Sequence, residues 1–376
     1  MVVDLLRILA SKRLILRPFE YGDAESIYKT WGQDKDVTKY VTWWEHTCLD
    51  DCRAYVAKVI QSYVEDANRM EWLVCLKETG EPIGAICVFY DEDTQKWGFG
   101  NNYAKKYWHQ GYASEALDTV LEYMFMEYGV ECVFGEHFAD NPNSGKVMQH
   151  CGMKYISEKI VTYKNIDYTS KYYEVTKFEW MLHKVSTFGT VETKRLKLRA
   201  LRQDDISILT KMFADKDVNK YLMKGTKTEE IEVKKKLSDI LICSIKKEDY
   251  RYFVIERKRD KEVVGVISLV VNDDGVGAHS SYCYRKEYWG KGYATEALKA
   301  VMHLAFEYSD IWYFESSYAQ PNVNSGAVMR RCGMTCKGYY KNGIQQMIPC
   351  MGGDYPGVIC RITRPEWEEV RGSNVD

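Results

Sequence analysis

The chain repeats itself once, and that repeat limits every later reading. Ser11–Arg17 (SKRLILR) recurs as Thr193–Arg199 (TKRLKLR), 182 residues on. Tyr107–Leu117 (YWHQGYASEAL) recurs as Tyr288–Leu298 (YWGKGYATEAL), 181 residues on, with eight of eleven positions identical. Asn141–Met153 (NPNSGKVMQHCGM) recurs as Asn322–Met334 (NVNSGAVMRRCGM), again 181 on, with nine of thirteen identical. Three matches in one order at one spacing are not chance. The change of offset places a one-residue indel between Arg17 and Asp36. A period this long is a whole domain, since solenoid units run to about 20–50 residues. The 376 residues therefore read as a tandem duplication, with domains at 1–186 and 187–376 and a joint near 184–192. That agrees with the usual domain size.

Each copy carries the same pattern. A short strand (Leu14–Arg17; Leu196–Arg199) precedes helical stretches near 20–32 and 49–66, and near 203–214 and 228–246. Two strands follow, turning at Gly80 in one copy and at the charged Arg257–Lys261 in the other, which suits hairpins. That basic turn and Lys234–Lys236 read as solvated surface. A fourth strand is expected near 97–103 and 278–284. Then Ala113, Ala116, Leu117, Val120, Leu121, Met124 and Phe125 recur at helical spacing, as do Ala294, Ala297, Leu298, Val301, Leu304 and Ala305. A strand (Cys132–Phe138; Trp312–Tyr318) and a short helix ending at Cys-Gly-Met complete the pattern. The Gly after that helix (Gly152; Gly333) fits a left-handed cap. This is a mixed α/β fold, antiparallel in front and βαβ-like behind.

Composition excludes several classes. Hydrophobic residues make up 45% and charged residues 28%, values typical of soluble globular chains rather than disordered or fibrous ones. The longest apolar stretch, Val263–Val271, falls far short of the roughly 20 residues of a membrane span. The opening MVVDLLRILASKR mixes charges into its apolar run, which predicts no secretory signal. The twelve Cys form no CxxC pair. Together these predict a cytoplasmic protein with reduced, packed thiols. The seven His show neither HxH nor HExxH spacing, so no metal is expected. Residues 1–188 hold 21 Lys and Arg against 28 Asp and Glu, and the rest hold 31 against 26. Without a basic stripe, neither nucleic acid nor membrane is an expected partner.

Two segments carry chemistry. Gly111 and Gly292 sit just before a helix. A glycine there lets successive backbone N–H groups converge beside the positive end of the helix, an anion cradle. A plain helix start explains it as well. Glu115 and Glu296 in the first turn suit the helix dipole or a capping box. In the second segment, Asn141 with Ser144, and Asn322 with Ser325, have the spacing of a helix cap.

Taken together and in order, strand–YWGKGYATEAL–helix–strand–NxNSGxVMxxCGM resembles the GNAT superfamily of N-acetyltransferases. It is most similar to the branch that acetylates N-termini of ribosomal proteins, as are the opening KRLxLR and the closing TRPEW (Thr363–Trp367). The resemblance covers both copies. It implies two tandem GNAT-like domains, each a mixed sheet splayed between its fourth and fifth strands and flanked by helices. Acetyl-CoA is the implied acyl donor. Its pantetheine arm would meet backbone at Asn101, Asn102 and Tyr103, or at Cys283 and Tyr284. Its pyrophosphate would sit on His109, Gln110, Gly111, Tyr112, Ala113 and Ser114, or on Gly290, Lys291, Gly292, Tyr293, Ala294 and Thr295. Asn141 and Asn322 match the family's Asn facing the pantetheine, and Ser144 and Ser325 its Ser on the thiol side.

The implied chemistry is direct attack of a free amine on the thioester. Relatives that modify N-termini place a Glu five residues before the Asn as a base through water. Glu136 stands there in the first copy and Ser317 in the second, with Glu315 two residues earlier. The family's frequent Tyr acid is replaced by Met148 and Met329. The expected activity is acetyl transfer to a primary amine, on a protein N-terminus or a small molecule. A catalytically silent CoA-binding or interaction module is the alternative. Tyr40, Trp43 and Trp44 fall in the loop that in this family helps form the acceptor pocket. The fused chain is expected to be a monomer whose copies pair with pseudo-twofold symmetry.

Overall fold

The computed structural model describes residues 6–41, 46–163, 166–223, 228–247 and 250–372. The chain divides into two compact units, 1–180 and 181–376, and the division falls inside helix α5 (Lys177–Ser186).

The first unit is one eight-stranded sheet. Its strands are β1 (Leu9–Ala10), β2 (Leu14–Arg17), β3 (Arg69–Leu76), β4 (Pro82–Asp91), β5 (Lys96–Tyr103), β6 (Cys132–Phe138), β7 (Lys154–Tyr163) and β8 (Ile166–Thr176). The order is β1-β2-β3-β4-β5-β6-β8-β7. Helices α1 (Asp23–Ile27) and α2 (Leu49–Glu65) cover one face, where Cys52, Val56 and Val59 meet Leu73, Cys75 and Ala85. Helices α3 (Tyr112–Tyr123) and α4 (Pro142–His150) cover the other. There the Trp72 ring lies 5.9 Å from that of Tyr123, and the apolar stripe read from the sequence is buried at Ala116, Leu117, Val120 and Leu121.

The second unit repeats the plan with a ten-stranded sheet. Strands β9 (Val191–Glu192), β10 (Leu196–Arg199), β11 (Tyr250–Arg257) and β12 (Val263–Val271) lead to β13 (Gly277–His279) and β14 (Tyr282–Tyr284). Then come β15 (Tyr313–Ala319), β16 (Thr335–Gly338), β17 (Met347–Cys350) and β18 (Gly353–Thr363). Helices α6 (Asp205–Ala214) and α7 (Glu230–Lys246) precede β11; α8 (Tyr293–Tyr308), α9 (Val323–Arg331) and α10 (Arg364–Gly372) come later. Ala297, Leu298, Val301 and Met302 of α8 enter one core with Leu196, Phe253, Val264 and Phe314.

Three expectations change. The fourth strand of the second copy is broken at Ser280–Ser281. There Ser268 N–H donates to Ser281 O (2.8 Å) and the two hydroxyls lie 2.9 Å apart. Arg257, expected at a solvated turn, is buried, with Nε and Nη2 on Asp260 (2.9 and 2.6 Å). Cys336 and Cys360, expected as thiols, form a disulfide. They are direct cross-strand partners on β16 and β18, the place where the first unit pairs Tyr155 with Tyr173. The Cys151 and Cys332 thiols are buried as expected.

Candidate donor site and acceptor face

The parallel pairing of β5 with β6 ends early. Trp97, Gly98 and Phe99 face Val133, Phe134 and Gly135, and the strands then part. In the second unit the pairing ends at His279 with Glu315. Asn101, Asn102 and Tyr103, and likewise Cys283 and Tyr284, lie beyond these points. The expected splay is present in both copies. A close approach fixes its edge. A Cβ on Gly84 would lie 2.4 Å from Asn102 O and 2.5 Å from the Tyr103 ring; on Gly265 it would lie 2.3 Å from Cys283 O and 2.8 Å from the Tyr284 ring. Only glycine fits across from these tyrosines.

The strands that border the splay carry buried polar atoms with no protein hydrogen-bond partner among the described residues. They are Asn102 Nδ2, Tyr103 OH and His137 Nε2 in the first unit, and Ser280 Oγ and Tyr284 OH in the second. An unpaired buried polar group costs about 1–3 kcal/mol, but Asn102 and Tyr103 are adjacent on β5 and point to opposite faces, so these atoms do not form one cluster. Burial pushes the Tyr103 and Tyr284 hydroxyls well up and the Cys283 thiol up to about 12. Cys283 therefore stays protonated and is no nucleophile.

The loop before α3 has one shape in both copies. His109 adopts φ 60° and Gly111 φ 81°; Gly290 adopts 72° and Gly292 77°. His109 thus takes the left-handed conformation that glycine takes in the second copy, at a cost of order 1 kcal/mol or more. Trp108 and Trp289 fasten the loops to the sheet, donating Nε1–H to Tyr103 O (2.7 Å) and Tyr284 O (2.9 Å). Tyr112, Ala113 and Ser114, like Tyr293, Ala294 and Thr295, form the first helical turns.

Glu115 and Glu296 do not cap their helices. They reach the turn before the opening strand: Glu115 accepts from Ser11 Oγ (2.7 Å), Arg13 N (2.7 Å) and Arg13 Nε (2.6 Å). Glu296 accepts from Thr193 Oγ1 (2.6 Å), Arg195 N (2.8 Å) and Arg195 Nε (2.6 Å). Burial alone would raise both carboxyls. The hydrogen bonds from these hydroxyls and from the arginine backbone and guanidinium outweigh it and hold them below the usual carboxylate range.

Asn141 and Asn322 occupy the N-cap positions of α4 and α9. The Asn322 side chain accepts from Ser325 N (3.5 Å), whereas Asn141 makes no side-chain cap bond. Ser144 lies in the first turn of α4, and Ser325 O accepts from Tyr282 OH (3.2 Å) across the splay. Met148 and Met329 are 1% exposed, so the position of the family's Tyr acid belongs to the core.

Glu136 lies on the opposite face from α4. The Phe134 ring, two residues earlier, meets Phe89 at 5.9 Å. Side chains alternate along a strand, so Glu136 shares that face while His137 turns towards α4. A Cβ on Gly145 would lie 2.6 Å from His137 Nε2. Glu136 accepts from Ser170 Oγ (3.0 Å) and pairs with Lys159 Nζ (2.9 Å). Glu174, beside it on β8, is bonded by Tyr172 OH (2.6 Å) and by Lys96. In the second unit Ser317 replaces Glu136, and Glu315 is held by Arg361 Nη2 (2.7 Å). Tyr40 OH donates to Asp140 O (3.2 Å); Trp43 and Trp44 lie outside the described residues. The sequence missed Arg13, Arg195, Lys159, Ser170 and His137. Only the repeated KRLxLR carried a signal, for the two arginines.

Comparison with known proteins identifies the family. The uncharacterized N-acetyltransferase YnaD of Bacillus subtilis (strain 168) is 31% identical over 179 residues, 46% of this chain and 98% of that protein. The uncharacterized N-acetyltransferase p20 of Bacillus licheniformis is 29% identical over 146 residues, 38% of this chain and 80% of that protein. Among solved structures, a GNAT-family acetyltransferase from Bacillus anthracis is 26% identical with a TM-score of 0.41, covering 46% of this chain and 99% of its own. The acetyltransferase (GNAT) domain family matches residues 13–154 and again 195–335. The chain belongs to the GNAT acetyltransferase family, carries its domain twice and uses acetyl-CoA as acyl donor.

Proposed function

We propose that the chain moves an acetyl group from acetyl-CoA to a primary amine, on a protein N-terminus or a small molecule, and that the first copy carries the chemistry. The observation behind this reading is Glu136. It stands on the strand beyond the splay, across the sheet from the donor loop, with Ser170 and Lys159 bonded to it. An amine entering from that face meets the thioester with a carboxylate in position to take its proton through water. The amine nitrogen forms the new bond to the acyl carbon, the carbon–sulfur bond breaks, and coenzyme A leaves as the thiolate. Proximity supplies much of the rate. Asn102, Tyr103 and the loop from His109 to Ser114 hold the donor, with Asn141 and Ser144 at the start of α4.

The second copy supports a second reading of its own half, as a donor-binding module without turnover. Ser317 stands where a base is needed, and Arg361 occupies Glu315. Its donor residues are Cys283, Tyr284, the loop Gly290–Thr295, Asn322 and Ser325. We take the functional halves as 1–186 and 187–376, working as a cytoplasmic monomer. Calorimetric titration with acetyl-CoA, followed by a screen of amine acceptors, tests the reading. Two donor sites and turnover that Glu136→Gln lowers by about 10²-fold or more support it. Donor binding without turnover on any amine overturns the enzyme reading.

A further inference from the structure

In each half one arginine of the turn before the opening strand grips the donor loop. Arg13 Nη1 donates to Gln110 O (3.1 Å) and Arg195 Nη1 to Lys291 O (2.9 Å). Nε of each is fixed by Glu115 or Glu296 at 2.6 Å. The guanidinium carbons lie 4.3 Å over the Tyr112 ring and 4.6 Å over the Tyr293 ring. Cβ atoms placed on Gly111 and Gly292 would meet Nη2 at 3.5 and 3.3 Å. This whole set repeats although the loops themselves differ, His109-Gln110 in one copy and Gly290-Lys291 in the other.

The peptide plane gives the grip a consequence. In a trans peptide the C=O of one residue and the N–H of the next point in opposite directions on a rigid plane. A guanidinium that fixes the carbonyl of residue 110 therefore fixes the direction of the Gly111 N–H. The same holds for residue 291 and Gly292. A charge-assisted, two-point hold of this kind is strong and directional. Without it, the glycine leaves that plane free to rotate.

We propose that Arg13 and Arg195, each locked by its glutamate, are positioning residues that aim the Gly111 and Gly292 amides at the donor's pyrophosphate. This rests on the reading of the two loops as donor-phosphate sites.

The test uses the full chain with Arg13→Gln, Arg195→Gln and Arg13→Lys. Arg13→Gln is expected to weaken acetyl-CoA at the first site by about tenfold or more, leaving the second unchanged, and Arg195→Gln to do the reverse. Lysine cannot reproduce the fork and should rescue poorly. Turnover with acetyl-pantetheine, which lacks the pyrophosphate, should be unchanged in Arg13→Gln while KM for acetyl-CoA rises. Equal losses with both thioesters would show a general structural defect and overturn the proposal. Hydrogen exchange at the Gly111 amide, measured without donor, should quicken in Arg13→Gln; unchanged exchange overturns the grip itself. A wild-type chain that binds no acetyl-CoA overturns the donor-site reading, and the exchange arm still decides separately whether Arg13 holds the loop.

Discussion

Glu136 lies 2.9 Å from Lys159 Nζ and accepts from Ser170 at 3.0 Å, so the candidate base is held from one side of β6, by β8 and by β7 beyond it. The cross-strand register explains the meeting: Glu136 faces Tyr172, and Lys159 faces Ser170. Glu136→Gln keeps the shape and the hydrogen bond from Ser170 but cannot take a proton. Amine turnover should fall by about 10²-fold or more, with acetyl-CoA affinity unchanged by calorimetry. A variant that retains wild-type kcat would remove Glu136 from the mechanism.

Gly111 and Gly292 hold φ values of 81° and 77°, a region that costs a branched side chain of order 1–2 kcal/mol. Gly111→Val should remove the first donor site and Gly292→Val the second, each leaving the other intact in an acetyl-CoA titration. Loss of both sites from one substitution would show that the halves do not bind independently.

Two imidazoles sit below their usual range, chiefly through burial: His46 and His137. A histidine whose folded pKa is lowered binds its proton more readily when unfolded. Its neutral-form stability is complete above the unfolded value of about 6.5 and is lost as pH falls from there towards the folded value. The urea midpoint should therefore drop between pH 7.5 and 5.5. His137→Phe should flatten part of that slope, because Nε2 is buried against Gly145 without a partner. An unchanged slope would show that His137 does not titrate in this window.

The disulfide joins residues 24 apart. Closing a loop of that length stabilises a chain by about 3 kcal/mol in the entropic account. Non-reducing peptide mapping should recover Cys336 linked to Cys360, and dithiothreitol should lower the thermal midpoint of the second unit. In a reducing cytoplasm the bond would open. Free thiols at both positions in chain purified under non-reducing conditions would show that the pair is only packed.

The regular parts of the fold were legible because periodic burial writes itself into sequence. The stripe Ala116–Leu117–Val120–Leu121 and the runs flanking Gly80 each follow one local period, and the structure returns them as α3 and as the β3–β4 hairpin. The loop shape was legible at Gly111 and Gly292, but not at His109. That residue takes a left-handed φ against its own preference, because the surrounding strand and helix dictate the turn.

By itself the sequence determined the duplication, the order of elements and the family, since repeats and motifs are one-dimensional. Partnerships were decided only by the tertiary structure. Glu115 looks like a helix-capping acid until the turn between β1 and β2 comes alongside α3 and supplies Ser11 and Arg13. Glu136 looks like a lone carboxylate until β7 and β8 supply Lys159 and Ser170. Cys336 and Cys360 look like unrelated thiols until the register of β16 on β18 makes them neighbours. A short-range period cannot encode these contacts, because each joins residues whose separation along the chain is set by loops and whose meeting is set by sheet register.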